Sequence, residues 1–287
     1  MITRARIRAA LFLLLSVLGS AAYLLQPPVL DGKTHVYMLN IGQGDSFLIV
    51  ADDGRKMLID GGLDTTILSE LSKVLPSGDD TIDVVLATHP DADHIGGLQY
   101  VFQRYRVGMF LTADVGTDTK TYTDMYKQVL AEGIPAYYVR HGMMVSLAPN
   151  ATFTVLFPDR DTSMWKTNEA SVVGRLNVGS RSILFTGDSP SSVESFLVKA
   201  EPLELHADLL KLGHHGSKYS SSAEYLKAVA PTLGLVSAGV DNKYGHPNAD
   251  VLGRLDAAVI PWVSTQQKGT VEFYTDGSAP WQWQSVE

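Results

Sequence analysis

The sequence predicts an α/β fold, an αββα sandwich of two mixed sheets packed face to face with helices outside. Three observations predict it. Strand-like runs come first as hairpins and only later mix with helix-like runs, which points to packed sheets rather than a simple parallel doubly wound sheet. The 287 residues are 45% hydrophobic and 19% charged, apolar enough for a sizeable core and too apolar for a disordered chain. No repeat, low-complexity tract or second linker interrupts the chain after residue 32.

The elements follow in order. Arg4, Arg6 and Arg8 precede an apolar run over residues 9–25 that ends before Pro27 and Pro28. A positive flank followed by an apolar run is the pattern of an export signal or a single anchor. The run falls short of the ~20 residues usual for a spanning helix, and Ser20, Ala21 and Ala22 offer small residues for cleavage. Residues 1–27 are therefore expected to be a hydrophobic helix acting as signal peptide or membrane anchor, with retention slightly favoured, and residues 28–287 the folded domain. The positive-inside rule places that domain outside the cytoplasm. Residues 35–39 and 46–50 read as strands, and the Asp52-Asp53-Gly54 turn leads into a third at 57–59. A helix is expected at 63–75, stopped by Pro76-Ser77-Gly78, then a buried strand at 83–88. Helices are expected at 98–105, 122–131, 193–199, 223–229 and 249–256. Strands are expected at 153–157, 172–178, 182–186, 209–212 and 233–237, with a final one at 270–274.

Charge and cysteine content remove several function classes. The formal charge of -8 disfavours extended contact with a polyanion, although a local metal centre can still accept one phosphate group. With no cysteine there is no disulfide, no thiolate zinc site and no lipoprotein anchor.

The strongest chemical signal is Thr88-His89-Pro90-Asp91-Ala92-Asp93-His94-Ile95-Gly96-Gly97, directly after the apolar strand Val84-Val85-Leu86-Ala87. His89, Asp91, Asp93 and His94 crowd the end of a strand, where a loop on a rigid scaffold presents chemistry. A merely solvated polar loop would not need two histidines and two aspartates in that space.

This motif resembles the His-x-His-x-Asp-His signature of the metallo-β-lactamase superfamily, with Asp91 at the second histidine position. Together with Asn40-Ile41-Gly42-Gln43-Gly44-Asp45-Ser46, Leu58-Ile59-Asp60-Gly61-Gly62, Phe185-Thr186-Gly187-Asp188, Leu210-Lys211-Leu212-Gly213-His214-His215-Gly216-Ser217 and Tyr244-Gly245-His246-Pro247, it is similar to the hydrolase domain of ComEC-type competence proteins. The multi-helix channel region of those proteins is absent, so DNA transport is not implied. The resemblance implies that His89 and Asp91 hold one metal and that Asp93, His94 and His246 hold another. Asp188, which by its residues alone could equally cap a helix before Pro190, is implied as the bridge. His246 could otherwise be a turn residue. One of His214 and His215 is expected to face the site as general acid or ligand. Adjacent residues at a strand's end point opposite ways, so the two are not expected to do the same job; His215 is favoured as the acid because Gly216 and Ser217 after it leave room for substrate, and His214 is left as support or as a structural histidine. His215 and Asp93 are thus the residues on which catalysis is expected to turn. Asp60 is expected to orient a ligand from behind, and Gln43 and Asp45 to line the same edge.

One departure matters. The superfamily's mid-chain histidine is missing, and its stretch reads Asn168-Glu169-Ala170-Ser171. Asn168 is a weak oxygen donor for that metal, and Ser171 is a candidate for binding substrate. An oxygen-rich site favours manganese over zinc as the pair of divalent cations. The expected function is a metal-dependent phosphodiesterase or nuclease acting on DNA, or on another phosphodiester, outside the cytoplasm. Lys218 or Lys243 would hold a neighbouring phosphate. The residues leave open hydrolysis of a lactam, lactone or thioester, and a non-catalytic envelope-anchored binding module. No obligate protein partner is expected.

Overall fold

The computed structural model describes residues 30–286. The expected signal or anchor at residues 1–27 lies outside them. Among the described residues, no helix is long and apolar enough to cross a membrane.

Strands β1 (Thr34–Met38), β2 (Phe47–Val50) and β3 (Lys56–Ile59) form an antiparallel meander. Helix α1 (Thr66–Val74) crosses to β4 (Thr81–Ala87), which runs parallel to β3. The short α2 (Ala92–Ile95) and α3 (Leu98–Arg104) lead to β5 (Arg106–Thr112), and α4 (Lys120–Ala131) leads to β6 (Ala136–Tyr138), both added in parallel. A second sheet begins with antiparallel β7 (Met144–Ala148), β8 (Ala151–Phe157), β9 (Val173–Val178) and β10 (Arg181–Phe185). It continues in parallel through α5 (Ser191–Ala200), β11 (Leu209–Lys211), α6 (Ala223–Val229), β12 (Leu233–Val236), α7 (Ala249–Ala257) and β13 (Trp262–Ser264). After α8 (Thr265–Lys268), the chain returns to the first sheet, where β14 (Val271–Thr275) pairs with β1 and β15 (Gln282–Ser285) with β14. The sheet orders are β15-β14-β1-β2-β3-β4-β5-β6 and β13-β12-β11-β10-β9-β8-β7.

Strand alternation builds the layers. On β1, Val36 and Met38 face the second sheet while Tyr37 packs toward the outer helices. Phe47 and Phe153 meet Phe185 between the sheets, the Phe47 and Phe185 rings edge to face at 5.2 Å. Outside, Leu58 and Val85 pack on Ile67, Leu71, Leu98 and Phe102, while Leu184, Leu210 and Val236 pack on Leu197, Leu226 and Val251. Each such side chain, fully buried, stabilises the fold by about 1.5–3 kcal/mol. This is the expected αββα sandwich.

Five strands escape the sequence reading: β5, β6, β7, β13 and β15. In β5, Gly108 breaks the strand-like run, yet it is required there, because a Cβ would meet the carbonyl of Asp83 at 2.6 Å. Strands β6 and β15 are exposed along their length and carry no inward apolar alternation. Because β15 follows β14, the strand expected to be the last is not. The helix expected from residue 63 starts at Thr66, leaving Leu63 exposed in the turn before it.

Candidate metal centre

The chemistry-bearing loops leave the carboxyl ends of six strands: β1, β3, β4, β10, β11 and β12. Thr88 leaves β4 and donates twice to Asp60, from its backbone N–H to Oδ1 (2.7 Å) and from Oγ1 to Oδ2 (2.8 Å). The Thr88 hydroxyl is therefore an acceptor for His89 Nδ1 at 3.0 Å. Asp60 Oδ2 also accepts from His94 Nδ1 at 2.8 Å. His215 Nδ1 lies 3.0 Å from the carbonyl of Ser237, which can only accept. All three rings thus carry a proton on Nδ1, and each turns inward its Nε2, the atom whose lone pair a cation would take in place of a second proton. Gly96 and Gly97 let the motif pack this tightly, since a Cβ on either would meet a carbonyl oxygen, of Leu63 or Gly61, at 2.0 Å.

Those Nε2 atoms converge on Asp188. His94 Nε2 is 3.3 Å from its Oδ1, and His215 Nε2 and His89 Nε2 are 3.5 and 3.9 Å from its Oδ2. His215 Nε2 also lies 3.4 Å from Asp93 Oδ2. The Nε2 atoms of His89, His94 and His215 and Oδ1 of Asp188 are buried without a hydrogen-bond partner. Buried polar atoms are rarely left so, and an imidazole and carboxylate donor set around one point is what a divalent cation would satisfy. Asp45, His94, Asp188 and His215 each bring a ligand atom within 4.8 Å of the others.

The electrostatics agree. Burial would raise the Asp188 carboxyl, yet the charges of His215 and His94 hold it well below the usual range. Burial would lower His94, but Asp188 and Asp60 raise it well above its ordinary value. His215 is likewise raised, to about 9, by Asp188 and Asp45 against its burial. The carboxylates therefore demand positive charge, which protons supply here and cations would supply in their place.

The sequence-expected residues distribute as follows. His89, Asp93, His94 and Asp188 come together. Asp91 sits at the rim, 3.6 Å from His89 Nε2, with its side chain 39% exposed. Asp60 lies behind His94 and Thr88, as a supporting residue would. His246 is half-buried, and its Nδ1 is also buried without a hydrogen-bond partner. Its ring stacks on Tyr244 and faces the rings of His214 and His215 at 5.5 and 6.2 Å. Burial and those two rings push its pKa down to about 4. His215 is buried in the cluster with its Nε2 on Asp188 and Asp93, and both His214 and His215 adopt left-handed backbone, φ 49° and 57°. That geometry turns adjacent side chains to the same side, where the extended backbone assumed from sequence would send them apart.

Ser171 is buried, and its Oγ accepts from the Asp188 N–H at 3.2 Å, so it holds the bridge candidate rather than meeting substrate. The Asn168 amide lies 3.4 Å from His214 Nδ1. Gln43 Oε1 accepts from the Gly239 N–H and lines, with Asp93, Lys243 and Tyr244, a cleft of about 430 Å³. Lys218 is exposed, its Nζ over the Tyr219 ring. Asp45, expected only at the edge, lies inside the cluster, 3.2 Å from His215 Nδ1 and paired with Lys211. Lys211 had no expected role. Its Nζ is buried, donates to the Gly187 carbonyl at 2.9 Å and lies 3.8 Å from Asp188. A charge in the apolar run Leu209-Leu210-Lys211-Leu212 was the available signal. The first sheet supplies Asp45, His89, Asp93 and His94, and the second supplies Asp188, Lys211 and His215, so the cluster spans the seam between them.

Comparison with known proteins supports the same assignment. Residues 39–240 match the description of the metallo-beta-lactamase superfamily. The chain is 30% identical over 263 residues to ComE operon protein 3 of Bacillus subtilis, covering 86% of this chain and 34% of that protein. It is 30% identical over 250 residues to competence protein ComA of Neisseria gonorrhoeae, covering 85% and 32%. The chain therefore spans about a third of the length of these relatives. Among solved structures, the metallo-beta-lactamase fold protein YhfI of Bacillus subtilis superposes with a TM-score of 0.50 at 16% identity, covering 80% of this chain and 95% of that one.

Proposed function

Because this chain belongs to the metallo-beta-lactamase superfamily, we propose that it is a metal-dependent phosphodiesterase that cleaves DNA outside the cytoplasm. The convergence of the unpartnered buried Nε2 atoms of His89, His94 and His215 on Asp188 carries the metal-dependent part of this reading. The likeness to competence proteins supports the nucleic-acid part, and the Arg-flanked apolar leader supports export or anchoring.

Asp93, His94, His215 and Asp188 would hold one cation, and His89, Asp91 and Asp188 the other. The mixed oxygen and nitrogen set favours manganese, with zinc second. Such a pair supplies a nucleophile at neutral pH and offsets the charge that grows on a phosphodiester. The residues do the rest. Asp60 and Thr88 fix the tautomers of His94 and His89, and Ser237 that of His215. Asp93 opens to the cleft, so substrate enters past Gln43 and Tyr244. Lys243, which lines the cleft, places positive charge there for a neighbouring phosphate. His246, held uncharged at neutral pH, is placed beside His214 and His215 to hydrogen-bond a substrate oxygen.

The purified full chain with manganese is expected to degrade single-stranded DNA, and Asp93→Ala to lose at least ~100-fold of that rate, since transition-state charge stabilisation of this kind is worth several kcal/mol. Equal rates in the two proteins sink the reading. Turnover of nitrocefin without cleavage of any phosphodiester transfers the site to lactam hydrolysis.

A further inference from the structure

We infer that His214 supplies the third protein ligand of the first cation, in place of the histidine missing from the middle of the chain. The inference rests on the metal-dependent reading above, but not on its substrate.

His89 and Asp91 together with Asp188 leave that site one protein donor short. His214 Nε2 lies 3.5 Å from Asp188 Oδ2, the same oxygen that His89 Nε2 approaches at 3.9 Å, while His89 Nε2 and Asp91 Oδ2 are 3.6 Å apart. Donors at ~2.0–2.2 Å from a tetrahedral cation stand roughly 3.3–3.6 Å from one another; the 3.5 and 3.6 Å separations match neighbouring ligands of one ion, and the 3.9 Å separation lies a few tenths of an ångström beyond them.

The backbone gives a second, independent reason. His214 (φ 49°, ψ 51°) and His215 (φ 57°, ψ 22°) are consecutive left-handed residues. For a residue with a Cβ that conformation is unfavourable, and such strain persists where the surrounding structure over-determines it. Here it turns both rings onto Asp188, which one inward-facing histidine would not require.

The third reason is the position of Asn168. It begins the 3-10 turn Asn168–Ala170 in the stretch that lacks the histidine; its amide nitrogen lies 3.4 Å from His214 Nδ1, and its Oδ1 accepts from Thr167 Oγ1 at 3.2 Å. Amide orientation is assigned from hydrogen bonding. With the amide turned over, its nitrogen toward the Thr167 hydroxyl and its oxygen toward the ring, Asn168 accepts the Nδ1 proton and leaves the Nε2 lone pair facing Asp188. That is the arrangement of the Asp60–His94 pair. Asn168 is then a positioning residue for the replacement ligand, not a donor to the cation. His246 Nδ1 is also buried without a partner, but its ring nitrogens come within 4 Å of no carboxylate among the described residues, whereas His214 Nε2 reaches Asp188 at 3.5 Å.

The test is metal content by mass spectrometry and zinc titration calorimetry on the purified full chain, with zinc alone as probe. Wild type should hold two zinc ions. His214→Ala should hold one, with the affinity of the remaining site changed by less than about threefold, and His246→Ala should hold two. His214→Gly, which removes the ligand and also the left-handed strain, repeats the measurement in a chain that folds if the alanine variant does not. Two zinc ions at wild-type affinity in the His214 variants, or loss of one in His246→Ala instead, overturns the inference. So does a wild-type chain holding fewer than two. A chain that shows the expected stoichiometry yet cleaves no phosphodiester refutes the proposed substrate and leaves the ligand assignment standing.

Discussion

Asp60 shows how much of the site depends on a residue that need touch neither cation nor substrate. One carboxylate, in left-handed backbone at φ 58°, takes three hydrogen bonds that set the tautomer of His94 directly and that of His89 through Thr88. Asp60→Asn keeps the shape but can turn an N–H toward Thr88 or His94. We expect zinc affinity to fall 10–100-fold, the usual range for such supporting partners, with little change in the circular dichroism spectrum; unchanged affinity in calorimetry would count against this role. At this scale the sequence was partly legible. His89, Asp91, Asp93 and His94 announced themselves because they are contiguous, and Asp60 and Asp188 because the family motif holds their place. Lys211 and the reach of Asp45 did not, because their pairing joins residues 166 positions apart and appears only once two sheets face each other. The roles of His214 and His215 turned on a backbone conformation that no local pattern of residue types reveals.

Among the elements, β1 and β14 carry a separate titratable pair. His35 Nδ1 lies 2.8 Å from Glu272 Oε1, with Asp31 3.0 Å from its other nitrogen. The bond to Glu272 raises His35 above its ordinary value of 6.5, with burial opposing. The bond to His35 lowers Glu272 from 4.5 to about 2. A raised histidine contributes stability below 6.5 that is lost as pH rises through its folded value. A lowered carboxylate contributes above 4.5 and loses it toward 2. Wild type should therefore exceed His35→Gln in urea stability most between pH 4.5 and 6.5, with the gap closing on both sides. A gap that does not vary with pH removes the claim. Strands β1 and β14 were readable because apolar and polar residues alternate along them. Strands β6 and β15 were not, because backbone pairing to an edge leaves no mark on side-chain polarity.

For the whole molecule, the layer architecture followed from the order of hairpins and helices, and the inward faces from alternation. Which strands would adjoin did not, since β14 closes against β1 across more than two hundred residues. Cation binding at the seam should couple to global stability. A ligand at a hundredfold excess over its Kd adds about 2.7 kcal/mol per site. Removing bound metal with EDTA should then lower Tm by on the order of 5–10 °C in a domain of this size, restored by manganese or zinc. A Tm indifferent to chelation would show the centre unoccupied in the purified protein.

The centre draws its donors from both halves of the sandwich, with the Asp45–Lys211 pair as the tie already present between them. A cation held there works as a clasp whose opening requires the halves to part. Amide exchange should slow on β4 and β11 together when metal binds, though they lie in opposite layers. Substitutions that merely loosen the packing between Phe47 and Phe185, well beneath the donors, should then weaken metal affinity without removing a single ligand.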